Sequence, residues 1–137
     1  MRLKIVLDTN IIISSLGRNS PYKIIINKLL EDKYDLFVST EILLEYEEKI
    51  AQLHNAAVAH TFLDFLSILP NVHQSTIYYR FLLITQDADD DKFADCAIAQ
   101  GVHYLVTNDR HYNILLKTGF PKVNLLTIRD FLKLLDS

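Results

Sequence analysis

Leu3-Lys4-Ile5-Val6-Leu7-Asp8-Thr9-Asn10-Ile11-Ile12-Ile13 is a short apolar strand that runs straight into Asp8 and Asn10. A carboxylate at the exit of a buried strand lies where open α/β sheets keep their ligands, in the crevice beyond the strand ends. Two further acidic positions follow the same logic. The run Asp87-Ala88-Asp89-Asp90-Asp91 opens an apolar stretch, and Asp109 comes just after Tyr104-Leu105-Val106-Thr107. Carboxylates converging without a cation repel by on the order of 4 kcal/mol per pair at about 4 Å and an effective dielectric of about 20. Such a cluster either holds its protons or takes up a hard cation, and oxygen-only ligands suit Mg²⁺ or Mn²⁺. A metal-dependent hydrolase is therefore the first expectation.

Around that stretch the chain alternates apolar runs with helical patterns. Ile5–Leu7 reads as a strand, and Pro21 opens a helix to about Glu31. Leu36-Phe37-Val38 is a second strand, ended by Ser39 and Thr40, either of which can cap the next helix, with Ile42, Leu43, Tyr46 and Ile50 on one side. A further helix runs from Ala56 to Leu69 and stops at Pro70-Asn71. Residues 72–84 are ambiguous, and their apolar segment Ile77–Ile84 fits strand or helix. Phe93 to Gln100 is helical with Gly101 as its C-cap. Tyr104–Val106 is a strand, His111–Lys117 a short helix closed by Gly119, and Val123–Leu126 the last strand. Thr127 with Asp130 resembles a capping box for a final helix to Leu135. Short strands separated by helices imply a three-layer α/β/α sandwich around a central parallel sheet, one domain over residues 1–137.

Composition agrees. The 137 residues are half hydrophobic and 23% charged, with a net charge of −3. That describes a globular chain with one good core, and it argues against a broad basic surface for duplex DNA. A single cysteine, Cys96, rules out an internal disulfide or a Cys-rich zinc site and suits a reducing compartment. Asp8 interrupts any signal-peptide pattern, and no apolar run approaches membrane-spanning length, so a cytoplasmic location is expected.

Each acid has an ordinary explanation on its own. Asp8 can be a cap, Asp89–Asp91 can be N-terminal helix charge, and Asp109 can start a turn. Asp91 and Asp95, however, would share a helix face four residues apart, which is unfavourable unless a cation intervenes. Asn10 is placed to orient Asp8. Glu45 lies in the charged run Glu41, Glu45, Glu47, Glu48, whose default is a solvated face; spacing alone does not put it in a site.

The chain resembles the PIN-domain nucleases, and most closely the PIN-type toxins of toxin–antitoxin pairs. The matching pieces are Leu7–Ile11, Ser39–Glu45, Asp89–Asp95, Gly101–Asp109 and Leu125–Leu132, in order along nearly the whole chain. The resemblance implies that Asp8, Glu45, Asp91 and Asp109 are an acidic quartet that binds Mg²⁺ or Mn²⁺ and cleaves RNA, supported by Asn10, Asp90, Asp95 and Thr107. It also implies an antitoxin partner and a homodimer. Ala88 replaces a frequent proline. His111 stands where relatives often carry another acid, which removes one carboxylate from a second metal site.

Histidines at 54, 60, 73 and 103 read as surface or core residues; His111, beside Asp109, and Arg110 are the candidates for substrate contact. Arg18, Lys23, Lys92 and Arg110 default to ordinary surface charge, with phosphate positioning as the functional alternative. A phosphatase of the haloacid type would want a second Asp where Asn10 stands, and three scattered glycines make no phosphate loop. The alternatives are a PIN fold that binds RNA or protein without catalysis, and a nuclease of RNA processing. Apolar residues over 21–31 and 40–69 exceed what a small core requires, which fits a symmetric dimer. A basic partner segment is expected to block the acidic crevice.

Overall fold

The computed structural model describes residues 2–75, 91–117 and 123–136. Among the described residues, five strands form one parallel sheet: β1 (Lys4–Leu7), β2 (Asp35–Ser39), β3 (Val72–Ser75), β4 (Tyr104–Val106) and β5 (Leu125–Leu126), in the order β3-β2-β1-β4-β5. The central strand is fully buried at Ile5, Val6 and Leu7, as are Leu36, Leu105 and Val106 beside it. Strands buried on both faces read as unbroken apolar runs rather than alternating ones, hence the Ile-Val-Leu signature. Between β1 and β2 lie α1 (Thr9–Ser15) and α2 (Lys23–Leu30), and between β2 and β3 lie α3 (Thr40–Leu53) and α4 (Ala56–Ile68). Helix α5 (Asp91–Gln100) precedes β4 and packs on β1, β2 and β4. A 3-10 segment (Arg110–Lys117) follows β4, and α6 (Ile128–Leu135) ends the described chain. The expected α/β sandwich with a central parallel sheet is what is found.

The caps are set locally. Ser39, rather than Thr40, caps α3 by accepting the Ile42 N–H at 3.3 Å, and Asn55 caps α4 through the Val58 N–H at 2.9 Å. Thr127 accepts the Asp130 N–H at 3.2 Å to start α6. Gly101 has φ +58°, the left-handed C-cap expected after α5. The strand expected at Ile5–Leu7 is β1, and Ile11-Ile12-Ile13, which carried no assigned element, lies in helix α1. Helix α2 begins at Lys23, with Pro21 in the turn before it. Val72–Ser75, part of the stretch 72–84 left open from sequence, is a strand. Ile77–Ile84, Asp90 and Gly119 lie outside the described residues. No described helix is long and apolar enough to cross a membrane.

Candidate active site

Strands β1 and β4 are neighbours in register, with Leu7 opposite Val106, while β2 and β3 continue on the other side of β1. Successive strands thus leave in opposite directions from the β1/β4 pair, which opens a crevice at their C-terminal ends. Asp8 and Asp109 follow those two ends. The Asp8 N–H donates to the Val106 carbonyl at 3.0 Å, extending the ladder one step past β1. The buried Tyr46 hydroxyl donates to the Leu7 carbonyl at 2.6 Å, so the backbone before Asp8 is fixed from α3.

Asp8 is itself buried, 5% exposed. Its carboxylate accepts the Thr107 hydroxyl at 2.7 Å, and Thr107 in turn accepts the Asp109 N–H at 3.0 Å. One threonine therefore ties the two acidic loops together. Burial pushes the Asp8 carboxyl up to about 6; hydrogen bonds from Thr107 and the Thr9 backbone oppose that rise, and the charges of Glu45 and Asp109 add to it. Asn10 is exposed on α1, so the orienting donor is Thr107, not Asn10.

Glu45 projects from α3 into the same neighbourhood. One of its oxygens accepts the hydroxyl of buried Thr9; the other takes the Lys92 ammonium at 2.8 Å. Lys92 is thus not ordinary surface charge: its side chain is only 14% exposed. Asp109 accepts the His111 N–H at 2.9 Å, with the imidazole Nδ1 3.5 Å away. Asp91 begins α5, although its side chain lies outside what the structure describes. Asp95 is buried one turn further on. Arg110 is exposed. Reasoning from sequence missed Thr9, Tyr46 and the Lys92–Glu45 pair. The only sequence signal was a lysine in a helix's first turn, where the macrodipole disfavours it.

The donors are carboxylate oxygens gathered in a partly dry crevice, where burial first, and the charges of Glu45 and Asp109 after it, raise the Asp8 carboxyl. That chemistry fits a hard divalent cation. Among the described residues, no three acidic, histidine or cysteine side chains close into a finished cation cage.

A sequence profile described as PIN domain matches residues 4–111. The chain belongs to the PIN domain family. Its fold is shared with solved structures at low sequence identity. VapBC2 from Rickettsia felis, bound to a DNA fragment from their promoter, superposes with a TM-score of 0.63 at 19% identity, covering 91% of this chain and 98% of that one. VapBC-1 from nontypeable Haemophilus influenzae gives 0.61 at 17% identity over 93% and 99%. DNA-bound VapBC from Salmonella typhimurium gives 0.58 at 20% over 92% and 98%. No curated protein matches this chain by sequence. At these identities the likeness to solved structures concerns the fold.

Proposed function

We propose that this PIN domain is a Mg²⁺- or Mn²⁺-dependent ribonuclease acting as the toxin of a toxin–antitoxin pair in the cytoplasm. The observation that carries the reading is the buried Asp8, joined through Thr107 to Asp109 and facing the charge of Glu45 at the sheet's switch point. Asp8 and Asp109, with Asp91 at the start of α5, are the residues to hold the cation, and Glu45 completes the acidic set. Asp95 supports them from the buried side of α5. A bound divalent ion supplies polarisation of the scissile phosphate and activation of water. Thr107 keeps the Asp8 carboxylate ionised and aimed, Thr9 fixes Glu45, and His111 sits on Asp109 at the rim, where it and Arg110 can meet a phosphate. A mildly acidic domain with few exposed cations at this mouth suits a short single-stranded or looped RNA better than a duplex.

The toxin reading draws on the fold shared with the toxin–antitoxin complexes of the VapBC type and on a chain of matching length. A groove of about 430 Å³ between α2 and α4, lined by Leu30, Val58 and Phe65 among others, is open and apolar. We assign this face to a second copy of the chain, and the acidic crevice to a basic segment of the antitoxin.

The test is RNA cleavage by purified protein with Mg²⁺, Mn²⁺ or chelator. Wild type should cleave only with metal, and Asp8→Asn should be folded and inactive. Undiminished cleavage by Asp8→Asn in a contaminant-free preparation would refute the assignment. Metal-dependent RNA binding without cleavage by wild type would favour the binding-module reading.

A further inference from the structure

The Lys92–Glu45 pair differs from an ordinary surface ion pair in three ways. Both side chains are largely withdrawn from water, at 14% and 16% exposure, and the contact is 2.8 Å. Exposed pairs contribute little because water screens them; this one is mostly shielded. Secondly, Glu45 is held from behind by the Thr9 hydroxyl, so its free oxygen has a fixed aim. Thirdly, Lys92 is the second residue of α5, where the helix N-terminus repels a cation. A lysine there opposes its own helix, and the Glu45 carboxylate is the compensating partner across the crevice. The pair lines a small cavity of about 270 Å³ with Glu41, Glu48 and Lys49, open to solvent beside the acidic crevice.

We propose that the Lys92 ammonium is a resident cation of this crevice, neutralising Glu45 so that the site accepts one divalent ion rather than two. The inference rests on the metal reading above. Two cations sharing one carboxylate in a half-dry site repel each other, so a second divalent ion must first displace an ammonium that is covalently tethered and already in contact. Lys92 is a positioning residue in this account. It sets the number of metals and leaves Asp8, Asp91 and Asp109 to hold the one that binds.

The experiment counts Mn²⁺ bound per chain, by equilibrium titration followed through the electron paramagnetic resonance signal of free Mn²⁺. Wild type should bind one Mn²⁺. Lys92→Met, which keeps the side-chain length and removes the charge, should bind two, and Lys92→Met combined with Glu45→Gln should return to one. Lys92→Arg should behave as wild type. Should Lys92→Met not fold, Lys92→Gln carries the same expectation. Two ions on wild type, or one on every folded charge-removing variant, would overturn the proposal while leaving the metal reading intact. No Mn²⁺ on any protein would overturn both.

Discussion

Asp8 shows what burial does to a single carboxyl. Its proton is held up to about 6 in the fold against 3.8 for an ordinary aspartate, burial being the main cause. Between those values the folded protein keeps a proton that the unfolded chain has released. Stability from this group is therefore full below about 4 and is lost as the pH climbs through 6. The loss is on the order of 3 kcal/mol, at about 1.4 kcal/mol per pH unit. Asp8→Asn removes the titration. In chelator, the variant should melt several degrees above wild type at pH 7–8 and close to it near pH 4, read by scanning fluorimetry across that range. A gap that stays constant with pH would contradict the account. Asp8 and Asp109 were legible in the sequence because a strand end places an acid without help from distant residues. Lys92 and Thr9 were not, since their shared partner Glu45 lies 47 and 36 positions away and only packing unites them.

At the scale of elements, most boundaries followed from caps and stops that act over a few residues. Ser39, Asn55, Thr127 and Gly101 each end or begin a helix by local hydrogen bonding or by a left-handed φ. Two elements escaped for opposite reasons. The β-branched run in α1 favours a strand, yet burying Ile11 and Ile12 against the core from a helix overrides that weak preference. Val72-His73-Gln74-Ser75 lacks an apolar run because β3 is the edge of the sheet and meets solvent. His73 there stacks on Phe37 and bonds Asp35 at 2.9 Å, a structural role consistent with its reading as a surface residue. Gly101 offers a clean check. Nothing lies within 4 Å of an added Cβ, so Gly101→Ala meets no clash and incurs only the left-handed conformation. We expect a loss of about 1 kcal/mol in chemical denaturation, with Mn²⁺ affinity unchanged.

For the whole molecule, the sheet order does more than any motif to create the site, because it makes β1 and β4 neighbours across almost the full chain. The same architecture leaves α4 with Phe65 at 49% and Ile68 at 73% exposure. If a second copy covers that face, Phe65→Asp should convert a dimer to a monomer by light scattering at micromolar concentration, with the melting temperature little changed. A wild type that is already monomeric would remove this assignment. The sequence showed the surplus of apolar residues over 21–31 and 40–69 but not the face that carries it, since helical periodicity does not separate a face meant for the core from one meant for a partner. The junction of β1 with β4 also has a bearing on synthesis. Thr107, which tethers Asp8, comes 99 residues later. While the ribosome is still making the chain, Asp8 and Glu45 have emerged but the other wall of the crevice has not. The face formed by α2 and α4 is complete much earlier, by Ile68. On the function proposed above, an emerging chain of this kind can meet a second copy before its acidic set is assembled.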